Sequence, residues 1–113
     1  MSRPGAATLE VRAFRGTRRS SRYRAHVLRA DDLDRIREAA APEGLQLLAS
    51  LPTAEPHELG KEEARSLAEE ITTLRAAASL LELDAELTAL AELARWCGRA
   101  SHGAWLRIQP AVG

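Results

Sequence analysis

Cys97, Ser101 and His102 are the one place where a thiol, a hydroxyl and an imidazole lie close along the chain. A cysteine attacks a carbonyl when a neighbouring base takes its proton and a third group orients that base. The intervening Gly98 and the position of Ser101 fix none of that geometry, and Cys97 also continues an apolar helical series, so buried packing is its expected role. His26 and His57 permit proton transfer or metal binding, but His57–Glu58 lacks the second histidine of a metalloprotease helix. A single cysteine likewise cannot build a sulfur-rich zinc site. The acidic pairs Asp31/Asp32, Glu62/Glu63 and Glu69/Glu70 are adjacent residues, which diverge on a helix, and Asp31 and Glu62 suit helix starts. No phosphate-cradling glycine loop or nucleotide fingerprint is present. The expectation is no defined catalytic set, no metal and no cofactor.

The stronger feature is basic. Arg15, Arg18, Arg19, Arg22 and Arg24 surround a polar turn, where guanidinium forks can meet phosphates, anionic lipid or an acidic protein. Tyr23 is the one aromatic among them. Trp96 and Trp105 can each bury a large apolar area while keeping an N–H donor, which suits a protein contact as well as a core. Trp96 reads as core from its helical context. The expected partner-binding set is therefore Arg15, Arg18, Arg19, Arg22, Arg24 and Trp105.

These residues must be positioned by a chain of 113 residues, room for one domain with a modest core. Of its apolar residues 22 are alanine and 17 leucine, whereas valine and isoleucine supply three each, so the core is aliphatic and helix-rich. The net charge is zero but polarised: eight arginines and Glu10 in residues 1–30 give +7, residues 31–92 give −10 and residues 93–113 give +3. Such segregation steers a partner or draws the chain's own parts together. Nothing approaches the roughly 20 apolar residues of a membrane span, and the start lacks a secretory hydrophobic segment. With one cysteine, a cytoplasmic setting is the expectation.

Alternation predicts a strand over Thr8–Phe14, with Leu9, Val11 and Ala13 on one face, and a second over Arg22–Leu28. In the second, Tyr23, Ala25 and Val27 are expected to enter the core opposite Arg22, Arg24 and His26. A short helix follows Asp31 and Asp32 with Leu33, Ile36 and Ala40 inward, and Pro42 and Gly44 stop it. Leu45–Leu51, flanked by prolines, reads as a third strand, and Pro52–Gly60 as a loop with a helical turn. Two long helices should follow. One carries Leu67, Ile71, Leu74, Ala78 and Leu81, the other Leu83, Leu87, Leu90, Ala94 and Cys97, flanked by Leu93 and Trp96. A single helix over 61–100 would run about 60 Å, so a break is expected between residues 78 and 84, at a capping box from Ser79 to Glu82 with an Ala78–Leu83 staple, or at Asp84. Ala104–Gln109 reads as the final strand.

The predicted fold class is α+β: a small mixed or antiparallel sheet of three to four strands covered by two long helices and one short helix, in the order β-β-α-β-α-α-β. Residues 1–7 read as a flexible leader, 8–110 as one compact domain and 111–113 as a flexible C-terminus. For function, the leading expectation is a small non-enzymatic protein-binding or regulatory module, of an immunity-like or antitoxin-like kind, with a homodimer through the helical faces as one arrangement. The alternative is nucleic-acid binding through the arginine-rich hairpin, and the third is a small hydrolase or transferase.

Overall fold

The computed structural model describes residues 7–52, 55–77 and 80–111. Strand β1 (Thr8–Gly16) and strand β2 (Ser21–Arg29) form the predicted hairpin, slightly longer than alternation alone indicated. Its turn is closed by the Thr17 N–H donating to Ser20 O at 2.9 Å, while Thr17 Oγ1 accepts the Ser20 N–H at 3.0 Å. Helix α1 (Ala30–Ala40) follows, with Leu33, Ile36 and Ala40 buried as their spacing requires. Then come helix α2 (Gln46–Ala49), strand β3 (His57–Gly60), helix α3 (Lys61–Ala77), helix α4 (Asp84–Gly98) and strand β4 (Ala104–Pro110). The sheet order is β2-β1-β4-β3, and every neighbouring pair is antiparallel. All described helices lie on one face of it, giving a slab of 38 × 37 × 20 Å.

The small α+β fold with a four-stranded antiparallel sheet agrees with the sequence reading; the location of its third strand does not. Leu45–Leu51 contains the single-turn helix α2, with Leu48 and Leu51 buried. Its free N-terminal amides are satisfied from a distance: the Glu70 carboxylate on α3 accepts the Leu47 N–H at 3.3 Å and the Leu48 N–H at 2.9 Å. A local apolar run cannot reveal an acceptor 22 residues away. The third strand sits instead at His57–Gly60, inside the expected loop, where Leu59 alone is buried and no alternation is visible. It exists because β4 offers a free edge, pairing His57 with Ile108 and Gly60 with Trp105.

The faces of β2 are also the reverse of expectation. Register sets Leu28, His26, Arg24 and Arg22 beside Leu9, Val11, Ala13 and Arg15 on the helical side, leaving Tyr23, Ala25 and Val27 on the other. Tyr23 is 54% and Val27 53% exposed. As the edge strand, β2 overhangs the core, and its inward Arg24 lies over Trp96 of helix α4.

Helix α3 ends at Ala77, and a 3₁₀ turn over Leu81–Leu83 leads into α4, so the break falls within the expected interval. Ala78 and Ser79 lie outside the described residues. Asp84 does not cap α4; it begins the helix and accepts from Arg75 Nε at 3.0 Å across to α3. Among the described residues the apolar stripe of α3 comprises Leu67, Ile71 and Leu74, and Leu81 is 82% exposed in the turn. Of the expected leader only Ala7 is described, its carbonyl accepting the Ala30 N–H; of the tail only Ala111 is, bonded to Thr8 O at 2.9 Å.

The C-terminus of α4 gathers side chains from distant segments. Arg15 donates to Trp96 O through Nε at 2.9 Å and through the terminal nitrogen at 2.6 Å. Arg65 donates to Gly98 O at 2.9 Å and Lys61 to Ala100 O at 3.2 Å. With Arg99 and Ala100 amides serving Arg95 O and Cys97 O, the carbonyls left over by the last turn are all accepted for, and three cations stand at the negative end of the helix.

Candidate functional site

The uncovered face of the sheet has three cross-strand rows. The first runs Tyr23, Phe14, Trp105 and Gly60; the second Ala25, Arg12, Arg107 and Glu58; the third Val27, Glu10 and Gln109. No helix among the described residues covers them. Phe14 stacks on Trp105 with centroids 4.8 Å apart at 10°, and Tyr23 leans on Phe14 at 5.6 Å. Gly60 leaves room beside Trp105, and Arg18 folds back from the hairpin turn to lie 4.3 Å over that indole. Arg12 covers Tyr23 at 5.1 Å. The aromatic row is thus a stack closed by a guanidinium at each end, presenting ring edges outward.

Arg18 is held there by a fork to Glu58, at 2.8 and 3.2 Å. The same bond holds the Glu58 carboxyl below its usual range. In the second row Arg12 and Arg107 face each other directly across β1 and β4. Among the described residues neither Nε, both of them buried, has a hydrogen-bond acceptor; the Glu10 carboxylate lies 2.9 Å from Arg12 Nε as an ion pair. Phe14, Arg12, Arg107 and Glu58 lie outside the expected partner-binding set, although the odd–even parity of β1 and β4 places the first three opposite the buried residues.

The five arginines expected to act as one patch are divided by the sheet. Arg18 belongs to the open face with Trp105. Arg15, Arg22 and Arg24 lie on the helical side, where the Arg15 and Arg24 guanidinium groups sit 4.4 and 4.8 Å from the Trp96 ring. Trp96 is mostly buried, as its helical context suggested. Arg19 stands exposed in the turn. On the open face only Arg18 and Trp105 of the expected set are brought together, while Arg15 and Arg22 meet on the helical side.

Where the hairpin turn meets the α4–β4 connection, a cleft of about 360 Å³ opens on the helical side, lined by Arg15, Arg22, Ser20, Ser21, Ser101 and His102 over the backbone of Gly16 and Gly103. Gly16 donates to Gly103 O at 2.9 Å, and a Cβ on Gly103 would stand 2.8 Å from Gly16 O. The nucleophile set suggested by sequence is separated by burial. Cys97 is in the core, its thiol pushed up to about 11 chiefly by burial, while Ser101 and His102 are exposed. His26 meets Glu86 of α4 at 2.6 Å, tying β2 to the helical layer. No three of the described histidine, cysteine and acidic residues converge as metal ligands. No described helix is long and apolar enough to cross a membrane. No protein-family model, curated protein or solved structure matches the chain, so both surfaces are read from their own chemistry.

Proposed function

We propose that the chain is a small non-enzymatic protein-binding or regulatory module that docks one partner on the open face of its sheet. An inhibitory, immunity-like or antitoxin-like role is one form of that activity, and a cytoplasmic setting accords with its one buried cysteine. The partner surface has an apolar strip to receive Tyr23, Phe14 and Val27 and a carboxylate to meet Arg12 and Arg107. The observation that carries this reading is the cross-strand pairing of Arg12 with Arg107 on the uncovered face, beside the Tyr23–Phe14–Trp105 row. Two like charges in register repel, Glu10 pairs with Arg12 only of the two, and a partner's carboxylate meeting the outer nitrogens of Arg107 offsets the remainder. The face also offers three arginines, Arg12, Arg18 and Arg107, against two glutamates, which favours an acidic partner.

Nucleic-acid binding draws less support. Stacking a base needs a free ring face, and the described contacts occupy Trp105 on both sides. The arginines of the hairpin do not form one phosphate track, since they point to opposite sides of the sheet. Pairing of two copies through α3 and α4 has little apolar surface to use, because Leu67, Ile71, Leu74, Leu87, Leu90 and Ala94 are buried in the chain's own core.

The test is quantitative native capture with wild type, Tyr23→Ala/Arg107→Ala and the helical-side control Arg24→Ala, followed by calorimetry with the purified partner. One stoichiometric protein retained by wild type and control, and weakened at least tenfold by the sheet-face variant, supports the reading. A partner lost only with Arg24, or recovery of nucleic acid in place of protein, overturns it.

A further inference from the structure

The cleft at the root of the hairpin is a second, separate surface, and its lining is chemically one-sided. Arg15 and Arg22 are directly paired across β1 and β2 and so point to the same side. Ser20, Ser21 and Ser101 bring hydroxyls, His102 brings an imidazole, and no carboxylate lines the space. Several exposed arginines pair with acids, Arg18 with Glu58, Arg35 with Glu82, Arg65 with Glu62 and Arg75 with Asp84, whereas Arg22, like Arg19, Arg24 and Arg99, has no acidic partner among the described residues. Among the described residues Arg22 has no hydrogen-bond or ion-pair partner, and Arg15 spends its donors on the Trp96 carbonyl. Like charges held in cross-strand register destabilise a sheet, and this pair has no local anion to offset it.

We propose that this cleft binds the phosphate group of a small phosphate monoester. A guanidinium fork matches two oxygens of a tetrahedral dianion, and hydroxyl donors complete its remaining sites. Gly16 and Gly103 keep the floor low, since side chains at those positions would collide with backbone. About 360 Å³ admits a sugar-phosphate-sized body. Among the described residues the lining holds no phenyl, phenol or indole ring, and its one aromatic group is the His102 imidazole. Arg22 is the principal anion contact, Arg15 supplies fixed positive charge, and Ser20, Ser21, Ser101 and His102 supply orienting donors. This inference does not depend on the open sheet face.

The experiment is titration calorimetry with ribose 5-phosphate, ribose and inorganic phosphate at constant ionic strength, paired with thermal unfolding. Wild type is compared with Arg22→Ala, His102→Ala and the turn variant Arg19→Ala. The expected result is saturable binding of ribose 5-phosphate, none of ribose, and weaker binding of inorganic phosphate. Affinity falls at least tenfold in Arg22→Ala and severalfold in His102→Ala, but is unchanged in Arg19→Ala, and the ligand raises the unfolding temperature only where it binds. Absence of saturation up to millimolar ligand overturns the proposal, as does equal loss in Arg19→Ala, which would mean diffuse charge attraction. Inorganic phosphate binding as tightly as the ester overturns the organic ligand. Because Arg22 is exposed, its variant retains the fold, and circular dichroism verifies this.

Discussion

Replacing Arg15 by alanine separates a structural arginine from its neighbours in the hairpin. Its guanidinium gives two charge-assisted hydrogen bonds to the Trp96 carbonyl, lies 4.4 Å from the Trp96 ring, and sits at the negative end of α4. Hydrogen bonds to charged groups contribute about 1.5–3 kcal/mol, and a partly desolvated cation–π contact about 0.5–2 kcal/mol. Against this, removing the charge relieves its register with Arg22 by a few tenths of a kcal/mol, roughly, so the net loss should be about 2–4 kcal/mol. For a domain of this size that lowers the melting temperature by about 8–15 °C. Urea unfolding followed by tryptophan fluorescence and circular dichroism measures it. Arg18→Ala, which removes an exposed ion pair, should cost clearly less, and Arg15→Lys should recover only part of the loss because an ammonium cannot fork. If Arg15→Ala is no more destabilising than Arg18→Ala, the capping of α4 from the hairpin is refuted.

Gly16→Ala should destabilise by about 1–3 kcal/mol, because φ is +122° and the new Cβ would stand 2.5 Å from Ser20 O; Gly44→Ala, at φ +74° with open space, should cost about 1 kcal/mol, and chemical denaturation distinguishes them. Cys97 should alkylate roughly a hundredfold more slowly in the folded protein than in denaturant at pH 8, read by mass spectrometry, since its folded value near 11 lies above the ordinary 9.0. The same raised value means that the stability it carries is complete below pH 9 and is lost as pH rises towards 11. Glu58 has the opposite sign: its folded value is lowered, so its contribution is held above 4.5 and lost as pH falls through the folded value, releasing Arg18 from Trp105. Tryptophan fluorescence should report that release in wild type and not in Glu58→Gln.

Much of the fold was legible because period-two and helical stripes record burial directly. Leu9, Val11 and Ala13 announced β1, and Leu67, Ile71 and Leu74 the inner side of α3, whereas four residues with one buried leucine could not announce β3. The inverted faces of β2 had a physical cause outside its own sequence: an edge strand takes its orientation from the turn and from β1, and Leu28 is its only deeply buried anchor. The candidate site was less legible for the same reason. Proximity in sequence suggested one patch of five arginines, but strand register turns Arg15, Arg22 and Arg24 to the helical side, whereas Arg18 folds back from the turn over Trp105 on the open face. Trp105 was named as a contact residue, while its stacking partner Phe14 lies 91 positions away and is found only once the strands are in register.

The central place of β4 also has a temporal meaning. The hairpin can form from local contacts as soon as it is made, yet the inner edge of β1 pairs with β4, which is synthesised after both long helices. At about 5–20 residues per second, that edge waits about 5–20 s on the ribosome for its neighbour. Throughout that interval a row of unpaired backbone groups beside Leu9, Val11 and Ala13 is available to any other extended chain. The nascent protein is therefore most exposed to mispairing along the strand that ends up best protected, and the arrival of Ala104–Pro110 closes the hazard and completes the sheet in a single event.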